Sequence, residues 1–255
     1  MRHRKYPLLE YDSSLPALIE PQAVVHSIDA PEHCVICFFR EVTNKLVDDH
    51  KAKIIAAHNW EDMDRPLYEI NLNGKRLAVI QSGVGGPLAA ALLEEVIARG
   101  CRKFIACGGC GVLDRELTVG HLIVPVSAVR DEGTSYHYLP PGREVSASSV
   151  AVTAIEAVLQ KHNIKYVLAK TWTTDAPYRE TPAKINLRKE EGCLTVEMEA
   201  AAFFAVAQFR GIPFGQILYA GDDISGNEWD QRDWHDRRSV RENLFWLAAE
   251  ACLNL

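Results

Sequence analysis

Four groups of residues in this 255-residue chain carry side chains or backbone suited to chemistry: Arg40-Glu41, the glycine runs SGVGG (82–86) and CGGCG (107–111), VEMEA (196–200) and GDD (221–223). Each stands where an apolar run gives way to a loop or helix, and open α/β sheets collect their ligands at strand ends. Glu197 and Glu199 precede AAAFFAVAQF, an almost wholly apolar helix, so both are expected in its first turn, where the helix dipole favours carboxylates. Residues two apart on a helix face different sides. One glutamate can therefore close the helix end while the other faces a pocket, and the pocket role is assigned to Glu199. The plainer alternative is a capped, buried helix with no chemistry. Asp222 and Asp223 either open a solvated loop or lie buried side by side, in which case one carboxyl is pushed up and keeps a proton for general acid catalysis. Glycine in a strand-to-helix turn serves backbone geometry as often as ligand approach, so the glycine runs gain meaning only from their company.

Positioning these groups requires strands that end beside them. Residues 33–39, apolar and β-rich, followed by 41–51 (EVTNKLVDDHK), give a strand feeding a helix. Residues 67–72 and 75–81 flank Asn73-Gly74, a dipeptide that accepts the positive φ of a tight hairpin. The loop SGVGGP (82–87) leads into a helix closed by Gly100, and Lys103 to Cys107 is a short strand running into a turn at Gly108, Gly109 and Gly111. Apolar runs at 121–126 and 165–171 bracket a helix at 149–162. A brief strand at 194–196 leads to a helix at 197–210, a strand at 214–220, a Trp-bearing loop at 222–235 and a last helix at 236–252. Alternating strands and helices with one hairpin imply a single α/β domain over 1–255, residues 1–30 forming an N-terminal extension. Its sheet is expected to be mixed and partly barrel-like, with helices on both faces.

Net charge −6 gives no basic footprint, so nucleic acid and anionic membranes are poor partners and a small molecule is the better one. No apolar run has the roughly 20 residues of a membrane span, and Met1 to Lys5 lacks the apolar stretch of a signal peptide, so a cytoplasmic protein is expected. Seven cysteines, an odd number lying mostly in apolar runs, fit reduced buried thiols. Cys34/Cys37 and Cys107/Cys110 have the spacing of zinc ligands. Residues i and i+3 of a strand point to opposite faces, however, so no metal is expected.

Taken in order, SGVGGPLAAALLEE, FIACGGCGVL, VGHLIVPVSAVRDEGTSYHY and VEMEAAAFFAVAQFRGIPF resemble the successive motifs of the purine/uridine nucleoside phosphorylase superfamily, from about residue 33 to the end. AVRDEGTSYHY looks closest to the uridine phosphorylase branch; Arg40 to Thr43 and the approach to GDD look nearer the branch that hydrolyses methylthioadenosine and adenosylhomocysteine. The resemblance implies a single-domain fold of that family and cleavage of a nucleoside's N-glycosidic bond. Ribosyl transfer to phosphate, releasing the free base, is the first expectation. Hydrolysis by water is the alternative, and a non-catalytic nucleoside-binding protein the second alternative. By the same resemblance Glu199 holds the ribose hydroxyls, with Met198 under the sugar and Glu197 beside it. Asp222 protonates the departing base, and Glu41 matches the glutamate that activates water. Gly108, Gly109 and Arg40 lie on the phosphate or water side, while Pro177, Tyr178 and Arg179 line the base pocket. No cofactor is implied beyond phosphate as co-substrate, and a homo-oligomer, a dimer or dimer-based hexamer, is.

The sequence departs from the family at the phosphate site. The first loop reads FFREVT where phosphorylases carry an arginine in GDPxR, and Ala106 stands where the strand carries another. Phosphate needs cations, for which bidentate arginine is the natural anchor, leaving Arg40, Arg130 and Arg179 as replacements. The base-stacking phenylalanine is Pro177, and the glutamine and arginine that read uracil have no match.

Overall fold

A computed structural model describes residues 3–14, 16–49, 52–61 and 63–255. The chain runs through α1 (Pro21–Val24), β1 (His33–Cys37), α2 (Arg40–Asp49), β2 (Lys53–Asn59), β3 (Asp64–Leu72), β4 (Lys75–Gln81) and α3 (Gly86–Arg99). It continues with β5 (Lys103–Val112), β6 (Leu122–Asp131), β7 (Glu144–Ser146), α4 (Ser149–Lys161), β8 (Tyr166–Thr174) and α5 (Pro182–Glu190). The last elements are β9 (Cys193–Glu197), α6 (Ala200–Arg210), β10 (Phe214–Asp223) and α7 (Arg238–Cys252).

One strand organises the whole sheet. Along its first half β5 pairs in parallel with β1, from His33↔Lys103 to Cys37↔Cys107; at Gly111 and Val112 it pairs instead with β9. Its other edge carries β10 in parallel from Phe104 to Val112. The ladder β5-β9-β8-β6-β10 returns to β5 and closes a five-stranded barrel, from which β1-β4-β3-β2 extends as a wing. The point where β5 changes partner is a switch point, where open sheets leave a crevice. Gly108 and Gly109 sit there.

Helices cover both faces, as the α/β pattern implies. On one side Val42 and Leu46 of α2, Ile155 and Val158 of α4 and Leu244, Phe245 and Ala248 of α7 pack on Val35, Val79, Ile105 and Ile217. On the other, Ala89, Leu93 and Val96 of α3 and Phe203 and Phe204 of α6 pack on Ile36, Ala78, Ile80 and Phe104. A third cluster, Val112, Ile123, Ala169, Leu218 and Ala220, fills the barrel. Cys34 belongs to one helix-covered face and Cys37 to the other, so the first CxxC pair diverges as strand geometry requires.

The hairpin turns at Asn73 (φ 53°) and Gly74 (φ 81°), with Leu72 opposite Lys75. Several boundaries differ from expectation. β5 does not stop at Cys107 but carries its glycines inside the strand to Val112. The helix expected from 197 begins at Ala200, Glu197 being the last residue of β9. The helix expected over 41–51 is α2, and residues 50 and 51 lie outside the described residues. α1, β2, β7 and α5 carry no pattern that marks them in the sequence.

Candidate active site

A cavity of about 670 Å³ opens at the switch point. Its wall includes Phe38 and Phe39 after β1, Gly108, Gly109 and Gly111 of β5, Glu197, Met198 and Glu199 at the β9-α6 junction, and Asp222 at the end of β10. Pro177, Tyr178 and Glu180 enter from the loop before α5, and Arg241 from α7. A more open depression of about 1110 Å³ around Arg115, Lys189 and Asn227 shares only Trp229 with this wall and contains none of the expected site residues.

The two glutamates divide their work. Glu197 accepts hydrogen bonds from the amides of Glu199 (2.7 Å) and Ala200 (2.5 Å) and from the hydroxyls of Thr173 (2.6 Å) and Thr171 (3.4 Å). It thus satisfies the amides that every helix start leaves open, although it lies on the strand rather than in the helix. Glu199 is 6% exposed and accepts from the Gly85 amide at 2.6 Å, at the start of α3, and from its neighbour Met198 at 3.3 Å. Burial pushes both carboxyls above the ordinary range, and the charge of Glu197 adds to the rise at Glu199.

The two aspartates also separate. Asp223 is 2% exposed; burial raises its carboxyl, but the Ser225 hydroxyl and amide and the Arg232 and Arg115 cations outweigh it and hold it below the ordinary value. Arg232 Nη2 stands 2.5 Å from it. Asp222 faces the cavity and accepts from the Trp229 indole at 2.7 Å. Asp223 is therefore not a carboxyl that is pushed up: the hydrogen bonds from Ser225, with Arg232 and Arg115 behind them, outweigh its burial. The carboxyl that rises beside Asp222 is Glu180, pushed up to about 7 by burial and then by the charge of Asp222.

The glycines allow these groups to approach. A Cβ on Gly109 would stand 3.1 Å from the Tyr219 ring, and one on Gly111 3.0 Å from Val196 and 3.4 Å from Asp222 Oδ1. Of the arginines proposed as phosphate ligands, Arg40 and Arg179 are exposed and off the wall. Arg130 is buried elsewhere, bonded to Ser135 Oγ (2.8 Å) and to the Pro140 and Leu139 carbonyls. The guanidinium the cavity does hold is Arg241, missed because a lone arginine in an amphipathic helix reads as a surface charge. It donates to Tyr219 Oη (3.0 Å) and Glu41 Oε1 (2.9 Å) and lies 5.2–5.8 Å from the centroids of Phe39, Trp234 and Tyr219. Burial would raise Glu41, which this guanidinium instead holds below its ordinary value. Glu41 itself stands behind Arg241, off the wall. Met198, Gly108, Gly109, Pro177 and Tyr178 are on it.

Residues 32–252 match the family model described as the phosphorylase superfamily. The chain belongs to that superfamily. Within it, the guanosine phosphorylase of Halorubrum lacusprofundi is 26% identical over 82% of this chain and 86% of its own. The phosphorylase superfamily fold is shared with a solved uridine phosphorylase from Vibrio fischeri, at TM-score 0.75 and 21% identity, covering 91% of this chain and 95% of that one. An AMP nucleosidase from Bacteroides thetaiotaomicron has TM-score 0.71 and 22% identity, covering 88% and 87%. Proteins named as phosphorylases and one named as a nucleosidase therefore share this fold. Among the described residues no group of three or more His, Cys, Asp or Glu could hold a metal ion, and no helix is long and apolar enough to cross a membrane.

Proposed function

We propose that this chain is a nucleoside phosphorylase. The observation that carries the reading is that Glu199, Asp222 and Glu180, from three separate elements, line one cavity of about 670 Å³. An oxocarbenium-like transition state gains from fixed hydroxyl contacts beside the sugar, which the Glu199 carboxyl, pushed up to about 8 by burial, supplies above Met198. A phosphate oxygen bonds to C1′ as the C1′–N bond breaks; the electron pair goes to the base, which takes a proton from the Asp222-Glu180 pair. Glu180, pushed up to about 7, keeps that pair charged with a proton near neutrality. Two carboxyls suit a base that both takes a proton and offers N–H donors, as an oxopurine does, with Pro177 and Tyr178 exposed at the mouth of the cavity. Arg241 takes the role of phosphate cation in place of Arg40, Arg130 or Arg179.

Hydrolysis is the second reading, and one contact favours it. Glu41 already occupies one side of the Arg241 guanidinium, at 2.9 Å, so the cation is partly neutralised before any phosphate arrives, and water needs no such cation. A panel of nucleosides assayed with and without phosphate decides between the two. Phosphate-dependent ribose 1-phosphate supports the first reading, and phosphate-independent free ribose replaces it with the second. We further infer a cytoplasmic homo-oligomer, supported by seven buried free thiols and by the exposed Leu18, Ile19 and Val24; a monomeric mass in solution overturns the oligomer.

A further inference from the structure

One buried polar group on the cavity wall has no role in the reaction described above. Gln216 of β10 is 1% exposed, and its Oε1 has no hydrogen-bond partner among the described residues. Other buried side-chain atoms without partners, among them His58 Nε2, Trp60 Nε1 and Thr195 Oγ1, are not on this wall. An unpaired buried acceptor is costly to the fold, a cost that a ligand bringing an O–H group removes.

Position along the strand says which ligand group that is. Gln216 is in register with Ala106, two residues before Gly108, and stands six residues before Asp222 on the same strand. At about 3.3 Å per residue, shortened by the bulge between Ala220 and Asp223, those six residues are under roughly 20 Å of strand, so the two residues meet the cavity at different ends of the same strand. In displacement at C1′ the leaving base and the incoming oxygen also lie on opposite sides of the sugar. Asp222 serves the base. We propose that the Gln216 carboxamide positions the nucleophile, accepting the O–H hydrogen bond of hydrogen phosphate so that an unprotonated oxygen of the same phosphate faces C1′, or holding by one O–H a water that gives its other proton to solvent as its oxygen bonds C1′. As a neutral group it does this without adding charge to a wall that holds four carboxyls, Glu180, Glu197, Glu199 and Asp222, and one guanidinium, Arg241.

The inference rests on the reading of the cavity as a nucleoside site, and the same experiment separates the two. Base release is measured for wild type and Gln216→Leu, with and without phosphate. Leucine is close in volume and removes the unpaired acceptor, so melting temperature should hold or rise; Gln216→Met replaces it if the leucine variant does not fold. The expected result is a fall in kcat of at least ~10-fold with nucleoside KM within about threefold. A concurrent rise in phosphate KM identifies hydrogen phosphate as the oxygen held; a loss confined to kcat in phosphate-free buffer identifies water. A folded variant with wild-type kcat in both conditions overturns the proposal alone. A wild type that releases no base from any nucleoside overturns it together with the functional reading.

Discussion

At the residue scale, neighbouring acids in the same motif have opposite duties, and substitution should separate them. Glu197→Ala removes the acceptor for two amides of the α6 start and for Thr173, so it is expected to cost about 2 kcal/mol in urea unfolding. Glu199→Ala removes a buried carboxyl held by only two amides. It should lower turnover at least ~100-fold while changing stability by less than about 1 kcal/mol. Equal effects of the two variants on both measurements would sink the division of roles. Glu180 supplies a pH test. Its carboxyl is pushed up from 4.5 to about 7, so it is protonated below about 7 and loses its proton as pH rises through that value. Activity that needs the proton should fall across this limb, and Glu180→Gln should abolish the limb in a kcat/KM profile. Stability follows the same sign. A raised carboxyl favours the folded state at low pH, and that contribution is lost as pH climbs from 4.5 through about 7. Wild type should therefore lose stability relative to Glu180→Gln over this window, the two starting alike at low pH.

At the element scale, the strand and helix positions around the site were legible where burial is one-sided and strong. The Asn73-Gly74 hairpin, the helix before Gly100 and the apolar run of α6 all followed from pattern and turn chemistry. β2 is an edge strand with only His58 buried, and α5 buries only Ile185 and Arg188, so neither carries a periodic apolar signal. The glycines of β5 suggested a turn because glycine usually breaks strands. Here they stay in the strand because Tyr219 and Val196 pack where side chains would be. Glu199 and Asp222 could be singled out because their motifs are local. Glu180, Arg241 and Gln216 could not, since each gains meaning only from residues far away in the chain. Gly85 shows how an element end enters the site: it has φ 94°, and its amide bonds Glu199. Nothing lies within 4 Å of a Cβ built there, so Gly85→Ala tests backbone strain alone. It should cost about 1–2 kcal/mol and lower kcat/KM by moving that amide. Unchanged kinetics in a variant with lowered melting temperature would show that the amide does not position Glu199.

At the scale of the whole molecule, the cavity exists only because barrel and wing share β5. Its wall draws on segments as distant as Phe38 and Arg241, so ligand binding and global stability are coupled. A nucleoside held at a hundred times its Kd should add about 2.7 kcal/mol to unfolding, which for a chain of this size raises the melting temperature by roughly 5–10 °C. The shift should be largely lost in Glu199→Ala, which removes the contact to the sugar. Measuring base release in the same tubes turns this into a test of enzyme against binding protein. Stabilisation accompanied by released base is the outcome expected here, because the wall holds two carboxyls, Asp222 and Glu180, proposed as the proton donor pair, and Gln216, proposed to hold the nucleophile. Stabilisation with no base released over hours at high protein concentration would mean that the same walls only bind, and that Asp222 and Glu180 face the base without transferring a proton to it.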